Sequence, residues 1–386
     1  MLRRVSDPLN VFITRCETTG SRRCGVKDLF HTAGLRTTYG SKLYADHVPS
    51  DDAVAWQRLR DDGWTLAGKT NLHEFAYGTS SQNPWYGTVG NPHDPGRVAG
   101  GSSGGSAAGI VTGDFEMGLG TDTAGSIRIP ASWCGVVGFK PSHGAVPSDG
   151  CFALVPWVDH IGPIAGDVAT CAETFATLAR RPPATAADPA SLAAVIVTEL
   201  DGVGVEESVS SAFAAGVDRL REAGVATSPT DWERLPQGIV QMRLAAAAHV
   251  HRRTFPAQRE LYGADVAHKL ERGLEPQTTA QQLERMADAE AWKAGCRERL
   301  GGAQLVVMPT IPIGPPPVDV DEVSLRGTVF AHTQLFNHLG WPSITIPCGT
   351  DRDGMPVGMM LSGPGDDVVL GASLALEAAI RDPALR

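Results

Sequence analysis

Two rhythms of apolar and polar positions alternate along this chain. Short apolar runs such as Ala194-Val195-Ile196-Val197 and Leu305-Val306-Val307-Met308 predict strands. Stretches with apolar residues at three- and four-residue spacing predict helices over 53–61, 106–111 and about 206–223, the last closed by Gly224. Residues 65–68 and 115–118 read as further strands, and 238–300, rich in Ala, Arg, Glu and Gln, carries helical spacing. This alternation predicts an α/β architecture. No internal repeat breaks it, and Arg181-Pro182-Pro183 to Pro189 is its one linker-like stretch, so the 386 residues are expected to form a single large domain.

Between Gly100 and Gly138 lie two serine-bearing glycine loops, Gly100-Gly101-Ser102-Ser103-Gly104-Gly105-Ser106 and Gly120-Thr121-Asp122-Thr123-Ala124-Gly125-Ser126. Glycine is favoured where a backbone takes positive φ or closely approaches a ligand, so backbone N–H groups are expected to face a substrate, with two hydroxyls sharing one site. Formally, residues 101–105 match G-x-S-x-G, but that elbow needs an apolar strand just before it, and Asn91-Pro92-His93-Asp94-Pro95-Gly96-Arg97 is irregular. A flexible Gly/Ser linker is disfavoured by the buried helix start Ala107-Ala108-Gly109-Ile110-Val111. Gly68-Lys69-Thr70 has the ending of a phosphate loop, but the first glycine of G-x-x-x-x-G-K-[ST] is read as missing, so the nucleotide reading is weak and Lys69 is expected to snorkel from a strand end.

The run from GGSSGGSAAG through LGTDTAGSIRIPASWCGVVGFKPS resembles the signature of the amidase signature family, whose members hydrolyse amides with a Ser–Ser–Lys triad. Gly25-Val26-Lys27-Asp28-Leu29-Phe30 resembles the segment that carries the family's lysine, and Thr70-Asn71-Leu72-His73-Glu74-Phe75-Ala76-Tyr77-Gly78 its strand and substrate loop. Met308-Pro309-Thr310-Ile311-Pro312, Phe336-Asn337-His338-Leu339-Gly340-Trp341-Pro342 and Gly354-Met355-Pro356-Val357-Gly358 resemble later landmarks, so the likeness spans most of residues 5–386, loosely in the middle third. It implies a central mixed β-sheet covered by helices on both faces. The signature core would occupy about 20–170, a looser helical segment about 200–300, and a return to the sheet about 301–386. It implies Ser126 as nucleophile, Ser102 as a bridging serine in a cis peptide and Lys27 as base. Oxyanion donors would be the N–H groups of Thr123, Ala124, Gly125 and Ser126, and Ala76, Tyr77 and Gly78 would bind substrate.

The residues themselves support that chemistry. A serine hydroxyl needs a base within hydrogen-bond reach, and no histidine is evident for the task. A lysine serves if burial lowers its pKa, and Val26, Leu29 and Phe30 around Lys27 suit such burial, while Asp28 would oppose it if turned inward. Asp122 and Arg128 are expected to form an ion pair pinning the second loop. Some malonamidase-like members carry an arginine where Ile129 stands, so its absence argues against a short dicarboxylic half-amide. The polar interval 15–23 before Lys27 is shorter than family members usually have, which would leave an apolar patch favouring a homodimer or a wider active-site mouth.

Composition limits the partners. Hydrophobic residues at 42% and charged residues at 20% allow a sizeable core, and a net charge of −10 disfavours nucleic acid or an anionic membrane. Seven scattered cysteines form neither a disulfide framework nor a zinc ligand set, which points to a reducing cytoplasm. Met1-Leu2-Arg3-Arg4 is followed by no apolar core of a signal peptide, and no run is long enough to span a membrane. His249 and His251, two apart, do not share a helix face, so neither metal nor cofactor is expected.

The expected activity is a serine amidohydrolase acting on a small or medium neutral amide, with carbamates and ureido compounds presenting the same planar group. The substrate pocket would draw on Trp133, Phe152 and Trp157 for apolar or aromatic contacts. The alternatives are the amidase component of a tRNA-dependent amidotransferase, or a non-catalytic binding protein of the same fold.

Overall fold

The computed structural model describes residues 7–381. The reading of Met1-Leu2-Arg3-Arg4 lies outside them. Strands β1 (Phe12–Arg15), β2 (Arg23–Lys27), β3 (Thr65–Thr70), β4 (Met117–Asp122), β5 (Val137–Lys140) and β6 (His160–Ala165) belong to the first half of the chain. The second half adds β7 (Ala193–Leu200), β8 (Ala226–Trp232), β9 (Leu305–Pro309), β10 (Ser343–Thr350) and β11 (Pro356–Ser362). They form one mixed sheet in the order β1-β3-β2-β4-β6-β5-β10-β11-β9-β7-β8. β3, β2 and β4 run parallel, as do β9, β7 and β8, while the strands between them pair antiparallel.

The long apolar strands have no polar face because both faces are covered. In β9, Leu305 and Val307 enter one apolar cluster and Val306 and Met308 another; in β11, Met359 and Leu361 face the first and Met360 the second. Alternate side chains point to opposite faces of a sheet, so a continuous apolar run means helices on both. The helices are α1 (Val54–Asp61), α2 (Gly104–Val111), α3 (Arg128–Cys134), α4 (Val168–Ala179), α5 (Glu207–Glu222) and α6 (Gln237–His251). They continue as α7 (Ala264–Gly273), α8 (Thr279–Leu300), α9 (Glu322–Val329), α10 (Thr333–His338) and α11 (Asp366–Ile380). α1, α4, α5 and α11 share one core with the sheet; α2 and α3, and with them α8 and α10, cover the other face. None of the described helices is long and apolar enough to cross a membrane.

Two strand boundaries move in a way that matters. β3 continues past 68 to Thr70, and β4 begins at Met117, where it pairs with Cys24, and runs on to Asp122. Phe115 instead packs edge-on against Phe12, with ring centroids 5.8 Å apart. The apolar patch expected beside residues 15–23 does not form. No described residue before Val48 is an exposed large apolar side chain, and the Arg15 guanidinium lies 4.7 Å over the Phe12 ring. That segment therefore offers no apolar basis for a dimer.

Candidate active site

Parallel pairing assembles the site. β3, β2 and β4 lie side by side and end at Thr70, Lys27 and Asp122, and in such sheets the loops beyond the carboxyl ends of the strands gather the chemistry. The first glycine loop enters here just before α2, with its Gly101–Ser102 peptide cis. Ser81 clamps it: Ser81 Oγ donates to the Gly100 carbonyl at 2.8 Å and accepts from the Gly104 amide at 3.1 Å. Lys27 Nζ then stands 2.8 Å from Ser102 Oγ, 2.9 Å from Ser103 Oγ and 2.8 Å from Thr121 Oγ1.

Lys27, Ser102 and Ser103 are fully buried. Burial disfavours the ammonium form and pushes the Lys27 pKa down to about 7, with Cys151, Asp122 and Asp159 opposing. Asp28 is turned away: its carboxylate accepts from the Thr38 amide and hydroxyl at 2.8 and 2.6 Å, and its other oxygen lies 3.2 Å from Lys69 Nζ.

The second loop is organised by Asp122. Its carboxylate accepts from the Gly125 amide at 2.7 Å, the Ile127 amide at 3.1 Å, Asn337 Nδ2 at 2.8 Å and both Arg128 Nη2 and Nε at 2.9 and 3.0 Å. The expected Asp122–Arg128 ion pair is thus present, with both side chains fully buried. Burial raises the Asp122 pKa, but Arg128, Lys140 and Asn337 outweigh it and hold the carboxyl well below the usual carboxylate range. Glycine is required at 125, where φ is +137° and a Cβ would come within 2.3 Å of Thr333 Oγ1. The Gly125 amide, expected as an oxyanion donor, is committed to Asp122 instead. The amides of Thr123, Ala124 and Ser126 have no protein acceptor among the described residues.

The two loops are tied where the Ser103 amide donates to the Ser126 carbonyl at 3.2 Å. Ser126, 7% exposed, lines a cavity of about 20 Å³ with Ala76, Tyr77, Gly78, Thr123 and Ala124. A second cavity of about 130 Å³, lined by Thr121, Cys151, Phe152 and Asp159, shares Ala76, Thr123 and Leu154 with the first.

Known proteins resemble the chain over most of its length. A model of the amidase family matches residues 24–368. The chain belongs to the amidase signature family. The A-type component of the glutamyl-tRNA(Gln) amidotransferase of Natronomonas pharaonis is 34% identical over 91% of this chain and 94% of its own length. A crystal structure of an amidase superposes with a TM-score of 0.84 at 32% identity, over 94% of this chain and 85% of that one. The corresponding glutamyl-tRNA(Gln) amidotransferase component of Thermotoga maritima, 24% identical over 97% of this chain and 90% of its own, shares the fold at a TM-score of 0.82.

Within this amidase-family site, the loop 74–79 beside Ser126 is held from outside the signature. Phe75 and Ala76 both have positive φ, +51° and +59°, a costly conformation for residues with a Cβ. Aromatic packing of Phe75 against Phe152, His251 and Tyr262 holds it. Gly78 passes so close to His73 that a Cβ would sit 2.2 Å from the imidazole. His73 Nε2 lies 2.7 Å from Asp265, Asp265 2.9 Å from Lys269 Nζ, and Lys269 3.1 Å from Glu322, which accepts from the Thr79 amide at 2.8 Å. Lys269 also donates to the Tyr77 carbonyl. His73, Asp265 and Glu322 place ligand atoms within 4.8 Å of one another, but the Lys269 ammonium already bonds both carboxylates and occupies the place of a cation.

Several sequence expectations are corrected. Lys69 does not snorkel: it is fully buried, donating to the Phe30 carbonyl at 2.6 Å and to Thr37 Oγ1 at 2.6 Å beside Asp28. Residues 63–70 do match the G-x-x-x-x-G-K-T spacing, yet 65–70 is strand β3 and not a loop before a helix, so no phosphate cradle forms. Trp133 is core, donating Nε1–H to the Ile313 carbonyl at 3.1 Å. Trp157 is 42% exposed and lines a different groove with Met242 and Met286. Sequence reasoning missed Ser103 and Thr121 as partners of Lys27, and it missed the Lys269 network, which no local motif marks.

Proposed function

We propose that this protein hydrolyses a carbon–nitrogen amide bond through an acyl-enzyme on Ser126. The observation that supports the reading is the Lys27 amine, fully buried, bonded to Ser102 and to two other hydroxyls, with its pKa near 7. In its neutral form the amine accepts the Ser102 proton, and Ser102 in turn accepts that of Ser126 as Ser126 Oγ bonds to the carbonyl carbon. The tetrahedral oxyanion is stabilised by free amides of the Thr123–Ser126 loop, and the Gly125 amide instead holds the loop's shape through Asp122. The proton returns through Ser102 to the leaving nitrogen, C–N cleavage releases ammonia or an amine, and water then hydrolyses the ester. No metal or cofactor enters these steps. The seven free cysteines suit a reducing compartment such as the cytoplasm. Intact-mass analysis during turnover of a slow substrate tests the scheme: an acyl adduct on the peptide bearing Ser126 is expected, and an adduct on another residue overturns it.

The curated relatives favour a second reading for the fate of the ammonia, since they are named as components of an amidotransferase for glutamyl-tRNA(Gln). Under it, this chain supplies ammonia within an assembly that handles tRNA, and the exclusion of nucleic acid from net charge is not carried forward. Ammonia release from glutamine, measured against release from simple amides, decides between the two. Fast turnover of simple amides with none of glutamine sinks the second reading.

A further inference from the structure

The Ser126 cavity has a cationic wall that the reaction scheme does not use. Arg243 on α6 and Arg326 on α9 line it together, and both flank Phe330, with guanidinium carbons 5.1 and 5.4 Å from its ring centroid. Arg326 also lies 5.0 Å over the Tyr77 ring. Arg243 is 3% exposed; its Nη2 donates to Gln334 at 3.2 Å, while its Nη1 is buried with no partner. Neither guanidinium has a carboxylate oxygen within 4.0 Å among the described residues. Glu322, one turn before Arg326, is committed to Lys269 and the Thr79 amide, and Asp159 to Thr123 and the amides of Leu154 and Val155. Two like charges facing one small cavity repel, and burial together with Arg326 pushes the Arg243 pKa down to about 9. An arrangement of this kind is complete only when an anion from outside the chain enters it.

We propose that Arg243 and Arg326 bind a free carboxylate on the substrate, so that the amide cleaved at Ser126 belongs to a small amide acid. This rests on the amide-hydrolysis reading and reverses the expectation of a neutral substrate. Ile129 no longer speaks against such an acid, because the arginines come from α6 and α9 and not from the position after Arg128. A guanidinium offers parallel N–H donors that match a planar carboxylate. The adjoining cavities of about 20 and 130 Å³ hold only several heavy atoms, which favours a compact amide acid over a phosphate ester or a peptide C-terminus.

Calorimetric titration of the Ser126→Ala protein with malonamate, succinamate and glutaramate, each against its diamide, tests the proposal without requiring turnover. At least one amide acid is expected to bind about 10- to 100-fold more tightly than its diamide. Arg243→Met should abolish that preference, and Arg326→Met, at the half-buried rim, should reduce it if the first variant does not fold. Equal or weaker binding of all three acids, tighter binding of inorganic phosphate than of succinate, or a preference surviving in both arginine variants overturns the inference. A carboxylate preference in binding, with no amide hydrolysed by the wild type, would retain the inference and reject the amidase reading.

Discussion

Lys27 and Lys69 lie on the neighbouring parallel strands β2 and β3, where Val26 pairs with Lys69 and Lys27 with Thr70, and both are fully buried. Three hydroxyls surround Lys27 Nζ. Lys69 Nζ meets a backbone carbonyl, two hydroxyls and, at 3.2 Å, the Asp28 carboxylate. Burial lowers the pKa of both, but at Lys69 the Asp28 carboxylate, 3.2 Å away, opposes it, whereas Lys27 has Cys151, Asp122 and Asp159 against it and no carboxylate in direct contact. A buried lysine with a carboxylate partner is a structural cation; one held by hydroxyls alone is a base near neutrality. Asp28, next to Lys27 in sequence, decides the difference by facing the other lysine.

The largest expected effect is at Ser126, the proposed nucleophile that the Lys27 arrangement would serve. Ser126→Ala should lower kcat by on the order of 10⁴-fold or more, with little change in Tm, because the substitution removes one hydroxyl from a cavity wall. Retained turnover would detach the Lys27 arrangement from the chemistry altogether. Next, Lys27→Met should cost about 10³-fold or more in kcat/KM while leaving stability nearly intact, since the three hydroxyls can bond one another. Lys69→Met should do the converse: it strands Asp28 without its cation and should destabilise by about 3–5 kcal/mol in urea unfolding. If both variants lose activity at unchanged stability, the contrast between base and structural cation is wrong.

The contrast also has a pH signature. Lys27 must be neutral to accept a proton, so kcat/KM should rise with pH through about 7 and fall about tenfold per unit below it. Stability should change in the same direction. A lysine whose folded pKa lies below its unfolded value disfavours the folded state at acid pH, and that penalty fades as pH rises from about 7 toward 10.5. A pH–rate profile on the wild type and on any active Lys27→Arg protein checks this; an unchanged limb in the variant assigns the titration to another group. The smallest effect expected is from Thr333→Val, which removes a 2.5 Å bond to the Ala124 carbonyl and should cost about 1 kcal/mol with a several-fold loss in kcat.

Legibility follows the range of the signal. The two glycine loops and Lys27 are readable because their residue types recur in local runs that resemble a family signature, and the apolar runs at 194–197 and 305–308 mark β7 and β9. The commitment of the Gly125 amide is not readable, because Asp122, three positions away, could as well have turned to Arg128 alone. Lys69 misleads because a lysine at a strand end gives no sign of a buried carboxylate opposite. Arg243 and Arg326 reach the Ser126 cavity from more than a hundred positions away in the chain, in helices α6 and α9 whose sequence carries no motif that points to it.

By itself, the sequence determined the α/β alternation, the two loops able to aim backbone amides at a substrate, and a lysine in an apolar segment. These are short-range properties, set by the conformational freedom of glycine and by the spacing of apolar side chains. Only the tertiary structure decided which lysine is free of a carboxylate, which amides remain open and which charges face the cavity. Each of those depends on groups far apart in the chain, and their titration and bonding are fixed by burial and by the partner that packing supplies.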